Sequence, residues 1–241
     1  MKFTDATVLV TGATSGTGEA KALRFGRPGS SVIVSGRDRG RGERVVKAIG
    51  QAGGRARFIA ADLRDSQDVL RLAGEADEAD ILVNNAGGSP FGGTAETGAD
   101  VIRNVLDVNL VAPFLLTGQL APKMGARRRR DRQRVPARRG ARHPGPPGLR
   151  RVQGRDRPLT KAWAAEFGPA GVRVNAVSPG AVRTPPAEIL GEMFDQMASA
   201  TPLGRAASAD EVAAAITHLA SDDASYITGA IPPVDAGMGA G

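Results

Sequence analysis

Short apolar runs alternate with helix-length stretches along most of this 241-residue chain. Apolar runs of strand length are typical of parallel strands buried on both faces, and the stretches between them are long enough for crossover helices. The pattern therefore predicts a doubly wound α/β sheet in a single domain spanning residues 1–241. We expect strands at 7–10, 31–35, 57–61, 81–84, 172–177 and 226–234, and helices at 19–25, 41–51, 101–120, 159–167 and 211–220.

Residues 125–157 interrupt this alternation. They contain thirteen arginines, no lysine and six apolar residues, with Pro and Gly dense between 136 and 148. Thirteen arginines against Asp131 and Asp156 give the stretch a charge of +11, so the rest of the chain carries −4 of the overall +7. The basic character therefore belongs to the insert and not to the domain. A long structureless loop inside a compact domain is itself unusual.

Composition excludes several kinds of site. The chain has no cysteine, so a disulfide framework, a zinc–thiolate site and a thiol nucleophile are impossible. His143 and His218 have no metal-ligand spacing. The N-terminus runs directly into the first strand without a signal-peptide pattern, and no apolar run approaches the roughly 20 residues of a membrane helix. We therefore expect a cytoplasmic protein with no membrane partner.

A glycine-rich turn, Thr-Gly-Ala-Thr-Ser-Gly-Thr-Gly at 11–18, follows the first strand and precedes a helix. Glycine permits a tight turn and lets the backbone approach a phosphate closely. The helix N-terminus then offers free N–H groups and a partial positive charge to an anion. The turn predicts a nucleotide-phosphate site, although a plain strand-to-helix turn would also contain glycine.

Further motifs follow in order along the chain. They are Asp62 and Leu63 after the third strand, Asn-Asn-Ala-Gly at 84–87, Asp-Val-Asn at 107–109, Asn-Ala-Val-Ser-Pro-Gly at 175–180 with Thr184 beyond it, and the segment 226–235. With these motifs at these spacings, residues 5–124 and 158–238 resemble the classical short-chain dehydrogenase/reductase family.

The resemblance implies a Rossmann-type fold with seven mostly parallel strands, helices on both faces and a homotetrameric assembly. It implies hydride transfer between NAD(P) and a small alcohol or carbonyl substrate. It assigns a catalytic role to Asn109, which could instead be a buried asparagine satisfied by backbone. It assigns cofactor binding to Gly12, Thr14, Ser15, Gly16, Gly18, Arg37, Asp62, Leu63, Asn85, Ala86, Gly87, Pro179, Gly180 and Thr184. Asp62 alone could instead cap the following helix.

The end of the second strand bears on the choice between NAD and NADP. Arg37 lies where an arginine can pair with the 2′-phosphate of NADP, whereas Asp38 would repel that phosphate if it pointed inward. We expect NADP(H) to be preferred over NAD(H). The alternative is that Arg37 is a solvated loop charge.

Three residues that the family uses for its chemistry are absent from this chain. The family employs a tyrosine as acid/base, a lysine four residues later and an upstream serine. The only tyrosine is Tyr226, and the residue four before Lys161 is Arg157. The fifth strand is also missing, because Asp-Arg-Gln-Arg-Val-Pro at 131–136 would bury unpaired charges and a proline.

A shift of reading frame would explain both absences. The codons possible for residues 149–155, read one nucleotide later, permit Tyr-Gly-Ala-Ser-Lys-Ala-Ala. Those for residues 131–135 permit Ile-Val-Asn-Val-Ser. Our hypothesis is a pair of compensating one-nucleotide changes near 124–130 and 156–160. A second serine at 136 is not recovered by this reading.

Three functional interpretations remain open. The first is an NADP(H)-dependent oxidoreductase whose sequence is locally out of frame. The second is a dinucleotide-binding pseudoenzyme. The third makes the arginine stretch an arm that binds nucleic acid or an acidic partner. We favour it least, because the stretch interrupts a fold and lacks the aromatic residues that stack on bases. Residues 187–201 occupy the place of a substrate lid, where Met193, Phe194 and Met197 could line a pocket or pack the lid. Trp163 and Phe167 could serve the core or a subunit interface.

Overall fold

The computed structural model describes residues 3, 5–27, 29–88, 93–133, 157–188 and 190–239, with the backbone alone at 128–133, 157, 186 and 188. The strands are β1 (Thr7–Val10), β2 (Ser31–Gly36), β3 (Arg55–Ala60), β4 (Ile81–Val83), β5 (Ser178–Pro179) and β6 (Pro233–Val234). The α-helices are α1 (Gly16–Phe25), α2 (Arg39–Gln51), α3 (Ser66–Glu75), α4 (Ala99–Leu106), α5 (Ala112–Gln133), α6 (Arg157–Phe167), α7 (Pro185–Glu188), α8 (Glu192–Ser199) and α9 (Ala209–Ala220).

The first four strands form a parallel sheet in the order β3-β2-β1-β4. Side chains of one strand alternate between its two faces, and each face is covered by helices. Leu9 and Ile33 pack with Leu72 of α3 and Leu116 of α5 on one face. The second face packs Val8, Val10, Val32 and Val34 with the apolar side chains of α1 and α2, among them Ala22, Phe25, Val45 and Ile49. The predicted doubly wound α/β architecture is therefore confirmed.

Two of the predicted strands are much shorter than expected. Only Ser178–Pro179 and Pro233–Val234 form a regular ladder, in place of strands at 172–177 and 226–234. The segments nevertheless run side by side, because the Ala176, Ser178 and Gly180 amides donate to the carbonyls of residues 230, 232 and 234. A parallel ladder would also need an amide from Pro232 to the carbonyl of Ala176, and proline has no N–H. The ladder is therefore regular only beyond that point.

The predicted helix at 101–120 is part of a longer helical run. α4 leads through a π-helical turn at Asp107–Val111 into α5, which continues to Gln133. Residues 131–133 are thus helical, in agreement with the argument that the sequence at 131–136 is unsuited to a strand. The seven-stranded sheet remains a prediction, since the described residues form a four-stranded and a two-stranded sheet.

The helical run is longer than the expectation that no apolar segment reaches membrane length allows. By length and composition alone, residues 99–127 are long and apolar enough to cross a membrane. One face of the run lies in the protein core through Ala112, Leu116, Leu120 and Met124. That face packs the helix against the parallel sheet.

Candidate functional site

The turn between β1 and α1 is built so closely that only glycine fits at two positions. Gly12 has φ +60°, and a Cβ there would lie 2.9 Å from Cα of Ala86. A Cβ on Gly18 would lie 2.0 Å from the carbonyl oxygen of Gly12. Any side chain at these positions would force the turn away from the loop that follows β4.

A small hydrogen-bond network holds this turn and the loop after β4 together. The Thr11 hydroxyl oxygen accepts the amides of Asn85 (3.0 Å) and Ala86 (3.2 Å) and lies 3.3 Å from the Val83 carbonyl oxygen, to which it donates. The Asn85 side chain donates in return to the carbonyls of Thr11 (2.8 Å) and Gly12 (3.2 Å). The carboxyl ends of β1 and β4, which are neighbours in the sheet, are thereby fixed to each other.

A cleft of about 720 Å³ lies above this carboxyl edge, which is where open α/β sheets bind ligands. It brings together twelve of the fourteen residues predicted to bind the cofactor. These are Gly12, Thr14, Ser15, Gly16, Gly18, Arg37, Asp62, Leu63, Asn85, Ala86, Gly87 and Thr184. Because α1 begins in this cleft at Gly16, its N-terminal amides are available to an anion. The cleft therefore offers backbone donors of the kind that bind the phosphates of a nucleotide.

Arginines gather at the end of this cleft near β2 and β3. Arg37, Arg41 and Arg64 all line it, and sequence reasoning had noted only the first. Asp38 does not aim a free carboxylate into the cleft, because it caps α2 by accepting the Arg41 amide and pairs with Arg41 Nε, both at 2.9 Å. The amide of Arg41, foremost among its partners, lowers the pKa of Asp38. The concern that Asp38 would repel a phosphate is thus weakened.

Asp62 is engaged by its neighbour. Arg64 Nε lies 3.0 and 3.1 Å from its two carboxylate oxygens, and this pairing is the main reason that the pKa of Asp62 is lowered. The alternative that Asp62 caps the next helix is wrong, because Asp65 caps α3 by accepting the Gln67 amide at 2.8 Å. In the described part of the chain, Arg37 forms no hydrogen bond or ion pair, although its charge contributes to lowering the pKa of Asp62.

Asn109 lies in the π-helical turn between α4 and α5. Pro113 has no N–H to complete the α-helical bond to the Asn109 carbonyl, which favours the wider turn there. The side chain accepts the Gly88 amide at 2.9 Å and donates to the Gly88 carbonyl at 2.6 Å. Asn109 therefore fixes the end of the loop that carries Asn85, Ala86 and Gly87.

Two of the predicted cofactor residues lie outside the cleft. Pro179 lines a second cavity, and the Gly180 amide donates to the Val234 carbonyl at 3.0 Å. A Cβ on Gly180 would lie 2.8 Å from Cα of Asp235, so its glycine serves the packing of the C-terminal segment. Thr184, in contrast, approaches Gly16 at the mouth of the cleft.

The second cavity, of about 510 Å³, adjoins the cleft and shares Asn85 and Gly87 with it. Asn109 and Trp163 line it, and Trp163 also contacts Phe114 with ring centroids 6.0 Å apart. Phe167, in contrast, packs against the core. The described titratable side chains that line this cavity are Lys21, Asp80 and Arg173.

No tyrosine, histidine or cysteine lines either cavity within the described residues. Tyr226 is fully exposed, and His218 lies on α9. The described residues also contain no cluster of His, Asp or Glu that could hold a metal ion. In the lid segment Phe194 is buried against Arg183, whereas Met193 and Met197 are exposed and line neither cavity.

Lys21 is a site residue that sequence reasoning missed. It lies on the core-facing side of α1 and is only 7% exposed, and its Nζ donates to Asn85 Oδ1 at 2.5 Å. Within the described residues no carboxylate forms a salt bridge with it. Burial lowers the pKa of Lys21 to about 8. The signal in the sequence was its place on α1. Lys21 lies three residues after Gly18 and next to Ala22, on the side of the helix that is buried.

Lys21 predicts a pH dependence of stability. Below pH 8 the amine is charged in both the folded and unfolded states, so folding has to desolvate a cation. Between pH 8 and about 10.5 the folded amine is neutral while the unfolded amine still holds its proton, so stability rises with pH. Urea unfolding should show this rise in the parent chain and lose it in Lys21→Met, which should be up to ~3 kcal/mol more stable near pH 7.

The exposed Lys47 of α2 supplies the control, since Lys47→Met should retain the rise. Identical pH profiles for the parent chain and Lys21→Met would show that the Lys21 amine is not desolvated.

The cleft has the features of a dinucleotide site, and comparisons with known proteins agree. A family model described as short chain dehydrogenase matches residues 6–131, which is more than half of the chain. A second model, described as enoyl-(acyl carrier protein) reductase, matches residues 157–239. The two matches leave residues 132–156 between them, which lie within the arginine stretch.

Similar proteins span the whole chain. The oxidoreductase UcpA of Escherichia coli K12 is 32% identical over 251 residues, covering 98% of this chain and 95% of the relative. The 3-oxoacyl-[acyl-carrier-protein] reductase FabG of Thermotoga maritima is 31% identical over 244 residues, covering 99% of each.

A solved structure shares the fold. It is a candidate NAD(P)-dependent gluconate 5-dehydrogenase from Beutenbergia cavernae with NADP bound at low occupancy. It superposes with a TM-score of 0.83 at 28% identity, covering 100% of this chain and 99% of the other. By its sequence matches and its fold, this chain belongs to the short-chain dehydrogenase/reductase family of NAD(P)-dependent oxidoreductases.

Proposed function

We propose that the gene encodes an NADP(H)-dependent oxidoreductase of small alcohols or carbonyls, and that the chain as it reads here binds the dinucleotide without turning it over. The observation that carries the proposal is a contrast between the dinucleotide-binding residues, which are present, and the acid/base residues, which are absent. Dinucleotide binding is supported by the glycine turn that lines the cleft and by Asn109, which bonds to Gly88 beside it. The Tyr-x-x-x-Lys pair, whose tyrosine would move the hydroxyl proton, is absent from the sequence.

The residues of the cleft have distinct roles in this proposal. The amides at the start of α1 would bind the pyrophosphate, and Gly12 and Gly18 would let it approach the backbone. Leu63 would border the adenine, and Thr184 would close the cleft near Gly16. The bound nicotinamide supplies or accepts the hydride. Asn109 would keep Gly88 and the residues before it in position beside the nicotinamide.

The pseudoenzyme interpretation shares this cleft. Its support is that the only tyrosine, Tyr226, is fully exposed and borders neither cavity. The two interpretations differ in the coding DNA and not in the nucleotide-binding half of the protein.

Dinucleotide binding without turnover is the first expected result. Titration calorimetry of the purified, mass-verified chain should give saturable NADPH binding, while absorbance should show no oxidation of NADPH with a panel of aldehydes and ketones. Gly18→Val is the negative control for binding, because its side chain would collide with the Gly12 carbonyl. Steady NADPH oxidation by this verified chain would contradict the proposal.

We further propose that NADP(H) is preferred over NAD(H). Arg37 is free of carboxylate partners in the described region, whereas Arg41 and Arg64 are paired with Asp38 and Asp62. Arg37 is therefore the arginine available to a phosphate at this end of the cleft. The related structure with NADP bound supports this choice.

Arg37→Ala tests the preference. A charge-assisted contact to a 2′-phosphate contributes ~1.5–3 kcal/mol, so the variant should bind NADPH roughly 10- to 100-fold more weakly while its Kd for NADH hardly changes. Arg44→Ala, on the exposed side of α2, is the matched control. Equal losses for NADPH and NADH would place Arg37 away from the 2′-phosphate.

We also propose a homo-oligomer, of which the tetramer is the expected form. A stripe of apolar side chains runs along α4 and α5 at four-residue spacing, and its members are 40–54% exposed. They are Ile102, Leu106, Leu110 and Phe114. A second copy of the chain would cover this stripe, since contiguous exposed apolar surface marks interaction sites. Light scattering tests the proposal, and a monomeric mass at micromolar concentration would contradict it.

A further inference from the structure

Lys21 places an amine directly behind the glycine turn at 11–18. Its Nζ donates to Asn85 Oδ1 at 2.5 Å, and the nitrogen of the same carboxamide donates to the Thr11 and Gly12 carbonyls at 2.8 and 3.2 Å. The amine is therefore two hydrogen bonds away from the carbonyl of Gly12. Lys21 does not line the cleft, so its charge acts on a ligand there only through the turn.

The Asn85 carboxamide connects this amine to the cleft. Its oxygen accepts from Lys21 and, at 3.2 Å, from the Thr17 hydroxyl, while its nitrogen donates to the turn. A protonated amine polarises this chain of bonds, since hydrogen bonds in series strengthen one another. Thr17 and Asn85 both line the cleft. The charge on Lys21 is thus transmitted to groups that border a bound ligand.

The fold provides no counter-ion for this amine within the described residues. Burial lowers the pKa of Lys21 to about 8, so at neutral pH the folded protein holds a cation that destabilises it. Ionisable groups whose pKa is displaced in this way gather at functional sites. An anion in the neighbouring cleft would supply the missing charge.

The carboxylates on the elements around this amine are engaged by other cations or face away from it. Asp80, which lines the second cavity with the amine, lies 3.4 Å from Arg127 Nε. Asp210 of α9, the helix that packs against α1, pairs with Arg24 at 2.9 Å. Glu19 comes two residues before the lysine on α1, a spacing at which helical side chains do not face each other.

The remaining charged side chains on these elements do not titrate where Lys21 does. Arg173 donates to the carbonyls of Leu219 and Ser221 at 2.7 and 2.9 Å, and arginine stays charged in proteins. Glu211 of α9 has its pKa lowered to about 2, mainly by the hydrogen bond from Arg205. His218 lies in the last turn of α9, and histidine loses its charge between pH 5 and 8. A proton bound above pH 8 in this region therefore belongs to Lys21.

We propose that Lys21 is a positioning residue for the dinucleotide, which strengthens binding of the pyrophosphate from behind the glycine turn and couples that binding to the uptake of one proton on its amine. The inference rests on the proposed dinucleotide binding. Lys21 touches no atom of the ligand in this proposal, since it acts through Asn85 and through its charge.

Protonation and binding are then linked. An anion in the cleft favours the charged amine, so the pKa of Lys21 should be higher in the complex than the value of about 8 in the free protein. Below pH 8 the amine is charged with or without the ligand, and the affinity should not change with pH. Between pH 8 and the raised pKa only the complex holds the proton, so the affinity falls as the pH rises.

Titration calorimetry of the full chain near pH 7, 8.5 and 9.5, in buffers of different ionisation enthalpy, tests this coupling. NADPH and NADH should both bind roughly 3- to 10-fold more weakly near pH 9.5 than near pH 7, since one unit of pKa corresponds to a tenfold change in affinity. Near pH 8.5 binding should take up about half a proton for a shift of one unit. Arg37→Ala should retain both effects, because it changes the contact to the 2′-phosphate and not the pyrophosphate.

Lys21→Met removes the charge and keeps an unbranched apolar side chain. It should bind NADPH roughly 3- to 10-fold more weakly than the parent chain near pH 7 and equally near pH 9.5, without the proton uptake. Lys47→Met, on the exposed side of α2, should behave as the parent chain does. A purely structural effect of Lys21→Met would weaken binding equally at every pH and would leave the proton uptake in place.

The possible failures are distinguishable. A Kd of the parent chain that does not change with pH, or proton uptake near pH 8.5 that Lys21→Met retains, would overturn the inference and leave dinucleotide binding intact. Absence of NADPH and NADH binding at every pH would overturn the proposed function, and this inference with it.

Discussion

The hydrogen bonds between Thr11 and Asn85 hold together the part of the molecule on which its function depends. One hydroxyl and one carboxamide connect the turn after β1 to the loop after β4 through four contacts of 2.8–3.2 Å. The glycines at 12 and 18 allow these two loops to touch, and Asn109 holds Gly88 of the second loop. The cleft therefore has a defined shape before any ligand enters it.

The same network includes a buried amine, Lys21, whose desolvation destabilises the folded state. Lys21 donates to the oxygen of the Asn85 carboxamide, which also accepts from Thr17, so a desolvated cation lies directly behind the phosphate-binding turn. Its neighbour in space is the open cavity between the two sheets. On the side of β1 to β4 the site is thus held by hydrogen bonds between neighbouring loops. The proposed loss of turnover follows from the residues absent from the sequence and not from this nucleotide-binding half.

Local patterns predicted most of the nucleotide-binding half. The apolar runs placed β1 to β4 within two residues of their observed ends, and the motifs placed twelve residues in one cleft. Their roles in binding remain predictions. The strands at 172–177 and 226–234 were misjudged because the lost donor of Pro232 limits the ladder there. The arginine partners at 41 and 64, and the pairing of Asp38 with Arg41, depend on side-chain packing that spacing alone does not reveal.

Whether the arginine stretch is the true translation product is the central question. Family matches end at residue 131 and resume at 157, and the codons between them permit the missing strand and catalytic helix in the next frame. Sequencing the coding DNA from residue 118 to residue 165 answers it directly. The account predicts that the verified DNA reads, in frame, Ile-Val-Asn-Val-Ser followed by Tyr-Gly-Ala-Ser-Lys. DNA that confirms the arginine stretch would contradict the frame hypothesis and leave a protein that binds dinucleotide without its acid/base.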